Sequence, residues 1–147
     1  MGTIPRYRRF GTAWLVFALA VAVHVTDEAT HDFLATYNPI ALAIRERVPF
    51  LPLPTFSFAV WLGGLIAGIV LLLCLTPLAF RGNARLRLIA LPLAVVVGVF
   101  NAFGHIGGSL YFERWMPGVY SAPLLLISAI WLLASAGAMT PRARAYS

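Results

Sequence analysis

Residues 10–31 read FGTAWLVFALAVAVHVTDEATH, an apolar run that ends in a cluster of ionisable side chains. His24, Asp27, Glu28 and His31 stand at positions i, i+3, i+4 and i+7, so on a helix all four side chains project from one face. Two imidazoles and two carboxylates supply nitrogen and oxygen donors that suit zinc, iron or manganese. The stretch therefore predicts an apolar helix with a candidate divalent-metal site near its end.

The composition is typical of an integral membrane protein. Of the 147 residues, 61% are hydrophobic and 11% are charged, and the mean hydropathy is +0.86, outside the range of soluble domains. The net charge of +6 could suggest nucleic-acid binding, but all the basic residues are arginines in short clusters between apolar runs. That distribution is typical of membrane topology, and we expect no nucleic-acid partner.

Four apolar segments are long enough to cross a bilayer at about 20 residues each. Their approximate limits are residues 10–31, 56–80, 88–111 and 119–139. The predicted fold class is therefore all-α, an integral membrane four-helix bundle that forms a single four-span domain over residues 1–147. Arginines before the first segment could mark a cleaved signal peptide, but no small-x-small cleavage site closes the run, so we expect the segment to be retained as the first span.

Smaller features refine this arrangement. Trp14 is expected to lie at the membrane interface, near the start of its span. The proline-rich connection 32–54 is expected to contain only a short interfacial helix, over residues 40–48, started by Pro39. Thr76-Pro77 is expected to kink or end the second span.

The arginines predict an orientation. Eight of the eleven occur in the N-terminus, the loop 81–87 and the C-terminal tail, against three in the other two connections. By the positive-inside rule, both termini are expected in the cytoplasm. All histidines and all acidic residues then lie towards the other side, so the polar site is expected at the outer side of the membrane.

The third segment adds Asn101 and, one turn later, His105. At a rise of about 1.5 Å per residue, His24 lies roughly 20 Å along the first span and His105 roughly 25 Å along the third, so the two rings can meet. A lone histidine in a span is more often a packing residue, and the acidic end of the first span could simply be hydrated, yet the combination favours a joint polar site. We predict His24, Glu28 and His105 as metal ligands, Asp27 and Glu28 as catalytic carboxylates, and His31, Asn101 and Asp32 as supporting groups.

These residues resemble the bacterial membrane family named for its HXXEE motif, which is defined by that motif, a further histidine and a YXPG motif. The first motif reads His24-Val25-Thr26-Asp27-Glu28, with Asp in place of the first Glu, and the further histidine corresponds to His105. The third reads Trp115-Met116-Pro117-Gly118, with Trp in place of Tyr. The resemblance extends over about residues 14–135 and implies a bacterial inner-membrane protein, with the reaction left open.

Three functions are compatible with these patterns. The first is a membrane-embedded metalloenzyme, a hydrolase or an oxidase, that acts on a lipid or an apolar small molecule reached from the bilayer. The second is a proton- or cation-coupled transporter, although the cytoplasmic half has few polar side chains. The third is an accessory structural subunit. Gly64 and Gly68 predict close helix packing, and a homo-oligomer, under any of them.

Overall fold

The computed structural model describes residues 5–138, and within that range helices are joined by turns and loops, without strands. The helices follow one another in the order α1 (Arg6–Thr30), α2 (Phe33–Arg47), α3 (Phe58–Cys74), α4 (Thr76–Phe80), α5 (Ala84–Leu93), a π-helical segment (Ala94–Phe100), α6 (Asn101–Tyr111) and α7 (Ala122–Gly137). The predicted all-α class is confirmed.

Three helical stretches are long and apolar enough to cross a membrane. They are Arg6–Thr30, Phe58–Phe80 and Ala84–Tyr111, and α7 is a shorter apolar helix of 16 residues. The fourth predicted segment began at residue 119, but residues 119–121 form a turn, so α7 starts later than expected. The predicted end of that segment at residue 139 lies outside the described residues, as do Arg142 and Arg144.

Helix α1 lies at the centre of the fold. It packs against α3, α4 and α7, and several of its apolar residues, among them Phe10, Trp14 and Phe17, are fully buried. Trp14, expected as an interface anchor, has its side chain inside the protein core. A buried indole N–H needs an acceptor, and Nε1 of Trp14 donates to the carbonyl of Leu72 at 2.8 Å.

The second apolar stretch is interrupted where the sequence predicted a kink or an end. Helix α3 ends at Cys74 and α4 begins at Thr76, with Pro77 in its first turn. Proline has no N–H to continue the hydrogen-bond ladder of the preceding helix. No residue of α3 is fully buried, but one of its faces packs against the core through Leu65, Ile69 and Leu72, and the rest of its surface faces outward.

The connection after α1 is more helical than predicted. Helix α2 begins at Phe33, and Pro39 lies inside it, so the expectation that this proline starts the helix is wrong. Asp32 has a left-handed backbone conformation with φ of 55°, which separates α1 from α2 and fixes the earlier start. The Asn38 side chain then donates to the carbonyl of Phe56 at 2.9 Å and accepts from its N–H at 3.1 Å, which attaches α2 to the start of the second apolar stretch.

The third apolar stretch begins at Ala84 because Asn83 caps it, its side chain accepting from the N–H of Leu86 at 3.0 Å. Pro92 lies in α5, and the π-helical segment follows directly. Wide turns of this kind occur frequently next to functional sites. This one immediately precedes Asn101 and His105, the two residues predicted to contribute to the site.

Gly98 and Gly63 provide a matched test of this packing. A Cβ at position 98 would collide with Ala129 of α7 and lie 3.0 Å from the Phe17 ring, whereas one at position 63 would meet nothing within 4 Å. We expect Gly98→Ala to destabilise the protein by about 1–3 kcal/mol, the usual cost of overpacking a core. Gly63→Ala should leave stability unchanged or slightly higher, because alanine is the better helix former. Thermal unfolding in detergent, followed by circular dichroism, measures both; an equal midpoint for the two variants would contradict this packing.

Candidate metal site

The histidine and the two carboxylates of α1 occupy its last two turns. His24, Asp27 and Glu28 are buried, while the side chain of His31, the residue after the helix, is half exposed. The stripe predicted from the sequence is therefore divided at the helix end. Three of its members face the interior of the protein and the fourth lies at the surface.

Three of the predicted donors come together at one point. The Oε1 atom of Glu28 lies 3.0 Å from Nε2 of His105 and 3.6 Å from Nε2 of His24. The two imidazole rings are 4.8 Å apart between centroids and meet edge to face. One ligand atom from each of the three residues lies within 4.8 Å of the others, and all three residues are buried. The three side chains predicted as metal ligands are thus brought together from α1 and α6.

The spacing of these atoms suits a metal ion. Donors bound at 2.0–2.2 Å to a tetrahedral ion stand about 3.4 Å apart, and the two separations from Glu28 lie on either side of that value. Two nitrogens and one oxygen form a set used by zinc, iron and manganese. Such a site would leave at least one position for water or another ligand. The residues therefore fit a divalent cation.

Ser121 determines which ring nitrogen of His24 carries the proton. Its hydroxyl donates to Oδ2 of Asp27 at 2.7 Å, because a carboxylate can only accept. The Ser121 oxygen lies 2.8 Å from Nδ1 of His24, so that nitrogen must donate to it. Nε2 of His24 is then the unprotonated nitrogen, and it is the one that faces Glu28. Metal-binding histidines are commonly oriented in this way through their second nitrogen.

Asn101 completes the surroundings of His24. Its amide nitrogen lies 3.1 Å from Nε2 of His24, at a distance that allows the amide to donate to this lone pair. Asn101 and His105 are one turn apart on α6 and so reach the same region. Asn101, predicted as a supporting residue, is thus in direct contact with His24, a candidate ligand.

The other predicted supporting and catalytic groups lie elsewhere. Asp27 does not join the three donors; it also accepts from the backbone N–H of Ser121 at 2.9 Å, and its Oδ1 lies 2.9 Å from Nδ1 of His31. Asp32 is exposed, at the start of α2. Asp27 therefore acts on His24 through Ser121, while His31 and Asp32 are outside the cluster.

Gly118, the last residue of the third motif, lies directly against the cluster. Its φ is +86°, and a Cβ there would lie 2.7 Å from both Cε1 and Nδ1 of His105 and 3.1 Å from Cγ of Glu28. Only glycine tolerates this backbone conformation together with so close an approach. The motif predicted no role for this glycine. In the structure, Gly118 lies beside two candidate ligands, His105 and Glu28.

Helix α2 covers the site with aromatic rings. Phe33 lies 5.7 Å from the His105 ring, and it stacks on Trp61 of α3 at 5.6 Å and on Tyr37 at 5.5 Å between centroids. These contacts place apolar surface beside the donors, which strengthens electrostatic interactions there. Sequence reasoning missed Phe33 and Ser121, since neither lies at a helical spacing from another polar residue of the site.

The proton position on His24 is testable. We expect metal-free protein to hold His24 as the Nδ1–H tautomer, and we expect Ser121→Ala to remove this preference because the acceptor for that proton is lost. Ser128→Ala is the matched control, since Ser128 is a buried serine of α7 that donates to the carbonyl of Leu125 at 2.8 Å and not to a residue of the site. Nitrogen-15 shifts of the histidine rings report the tautomer. An Nε2–H ring in the wild type would contradict the assignment.

Comparison with known proteins identifies the family. A family model described as "Protein of unknown function with HXXEE motif" matches residues 14–132, most of the chain. Searches for similar proteins found no curated protein and no solved structure that matches this chain. The matched range contains both candidate ligand histidines, Glu28 and the Gly118 turn. On this match, the chain belongs to the HXXEE family.

Proposed function

We propose that this protein is a membrane-embedded metalloprotein in which His24, Glu28 and His105 hold one divalent cation. The observation that carries the proposal is the convergence of three buried donors from two helices within 4.8 Å. Zinc, iron and manganese all suit this donor set. The orientation of His24 by Ser121 supports the proposal, because it leaves Nε2 unprotonated and facing Glu28, with the Asn101 amide 3.1 Å away.

Charge balance also supports a cation at this point. Ionisable groups buried among apolar helices are costly unless they are paired, hydrated or coordinated. Glu28 and Asp27 bring two carboxylates into a small region, while the only cationic partners within 4 Å of them in residues 5–138 are histidines. A divalent ion would offset both negative charges and allow the two buried imidazoles to remain neutral.

The membrane arrangement is part of the proposal. We infer a single four-span domain over residues 1–147, a four-helix bundle in which α7 and its flanking turns form the fourth crossing. Both termini would lie in the cytoplasm of a bacterial cell, and the metal site towards the outer side of the inner membrane. The arginine distribution supports this orientation. The open glycine face of α3 at Gly64 and Gly68 is available to a second copy in a homo-oligomer.

The proposed substrate is a membrane lipid or an apolar small molecule. Phe33 of α2 lies beside His105 and supplies an apolar contact surface at the site. Gly104 and Gly107 leave open space along α6, the helix that carries His105. A bound divalent metal would supply Lewis acidity for a hydrolase, and bound iron or manganese would supply redox chemistry for an oxidase. Glu28 would hold the metal, and Asp27 would position His24 through Ser121 during either reaction.

A structural role is the second candidate, and one observation favours it. The 3.0 Å contact between Glu28 and His105 joins α1 to α6 directly. Such a contact fastens two helices in an apolar environment. Under this alternative, removing one partner would lower stability while metal content stayed at background in every variant.

Elemental analysis of detergent-purified protein distinguishes the two candidates. We expect about one divalent ion per chain in the wild type, because three buried donors converge at one point. That ion should be lost in His24→Ala, His105→Ala and Glu28→Gln. His31→Ala is the matched control, since His31 also lies at the end of α1 but outside the donor cluster, and it should keep the metal. Background metal in the wild type after incubation with zinc, iron and manganese would refute the metal site.

The orientation has its own test. In a Cys74→Ser background, Ala43→Cys on α2 and Ala84→Cys at the start of α5 each introduce one exposed thiol. We expect a membrane-impermeant maleimide to label Ala43→Cys in intact cells, and to label Ala84→Cys only after permeabilisation, because the arginine-rich loop lies inside. Labelling of Ala84→Cys alone in intact cells would reverse the topology.

A further inference from the structure

A pocket of about 310 Å³ lies outside the cluster of His24, Glu28 and His105. It is formed by the end of α1, the start of α2 and the α6–α7 connection. Its walls include His31, Asp32, Arg114, Trp115 and Tyr120. The pocket therefore brings one carboxylate, one guanidinium and two large aromatic rings to the same place. Its volume is at the low end for small-molecule sites, enough for a polar headgroup.

The two charges in this pocket do not neutralise each other. The ion pairs found in residues 5–138 all involve histidine, and none includes Asp32 or Arg114. Asp32 precedes α2, but its side chain does not cap that helix. The Arg114 guanidinium lies 5.7 Å from the Phe112 ring. Opposite charges on two walls of one pocket are complementary to a ligand that carries both signs.

The aromatic side of the pocket is preformed. Trp115 and Tyr120 stack with centroids 5.8 Å apart and an interplanar angle of 19°, and His31 lies 5.3 Å from the Tyr120 ring. Faces of tryptophan and tyrosine attract ammonium groups, and both residues favour the interface between membrane and water. The ammonium end of a ligand would therefore find both a carboxylate and an aromatic surface.

Backbone strain is concentrated at the same place. Among the described residues, only Asp32 and Glu113 combine a side chain with a positive φ, at 55° and 52°. Asp32 lines the pocket, and Glu113 directly precedes Arg114. Such conformations persist where the surrounding structure holds them and are common at ligand sites.

We propose that this pocket binds the phosphoethanolamine headgroup of a phospholipid. Arg114 would bind the phosphate, since guanidinium groups form charge-assisted hydrogen bonds with phosphate oxygens. Asp32 would accept from the primary ammonium, and Trp115 with Tyr120 would lie against it. A lipid rather than a soluble aminophosphate is the inferred source, because the pocket adjoins the ends of two helices long enough to cross a membrane. This site goes beyond the metal function and does not require it.

The α6–α7 connection would join the two sites physically. Trp115, Met116 and Pro117 line the headgroup pocket, and the next residue, Gly118, lies against His105 and Glu28. On the other wall, His31 contacts Asp27, which orients His24 through Ser121. A lipid whose headgroup is bound in this pocket would lie beside the candidate metal site.

Native mass spectrometry of detergent-purified protein tests the headgroup site. We expect phosphatidylethanolamine to bind at least about tenfold more tightly than phosphatidylglycerol, which lacks the ammonium, or phosphatidylcholine, whose ammonium cannot donate to a carboxylate. Arg114→Gln and Asp32→Asn should each weaken that binding about tenfold. Asparagine tolerates a left-handed backbone well, so Asp32→Asn should keep its fold. Arg45→Gln and Glu46→Gln, both on the exposed part of α2, remove the same charges outside the pocket and should change nothing.

Three outcomes would overturn the proposal. These are equal affinity for the three lipids, equal losses in the control variants, and full competition by soluble glycerophosphoethanolamine at the lipid's own concentration. The last result would assign the pocket to a soluble ligand. His24→Ala should lose metal but keep the lipid preference, and Arg114→Gln should do the reverse, so failure of the headgroup site and failure of the metal site can be told apart.

Discussion

The Glu28 carboxylate lies between two imidazole rings in a protein built from apolar helices, and the arrangement of the surrounding elements depends on satisfying it. A buried charge without partners is strongly unfavourable in such surroundings. His105 must therefore approach from α6 to 3.0 Å, and His24 from the same helix as Glu28 to 3.6 Å. The α6–α7 turn fits above this pair only because Gly118 has no side chain.

Much of the site could be predicted from the sequence, because helical periodicity alone places His24 and Glu28 one turn apart on α1. Neighbouring residues, however, point about 100° apart around a helix of 3.6 residues per turn. Asp27 and Glu28 therefore face different neighbours, Ser121 and His105 respectively. From their spacing alone, the two carboxylates were predicted to act together. The rotation between them makes Glu28 a candidate metal donor, whereas Asp27 orients His24 through Ser121.

The features that could not be predicted arise from tertiary structure. Ser121 reaches Asp27 across 94 residues of chain, and its position depends on residues 119–121 forming a turn where a helix was expected. The early start of α2 follows the left-handed conformation of Asp32, and it leaves Pro39 inside the helix. Residue spacing along one helix cannot predict these contacts, because each depends on how elements distant in sequence pack together.

The departure of this chain from its family motif has a physical explanation in the same geometry. Asp27 stands where the motif has glutamate, and its carboxylate accepts both the N–H and the O–H of Ser121, at 2.9 and 2.7 Å. A side chain longer by one methylene would have to fold back to keep both bonds, because Ser121 already lies next to α1. The shorter acid is thus suited to holding Ser121, and through it the Nδ1 proton of His24, rather than to reaching the three donors. The change from glutamate to aspartate at position 27 therefore affects a residue that orients His24, and it leaves the three candidate donors unchanged.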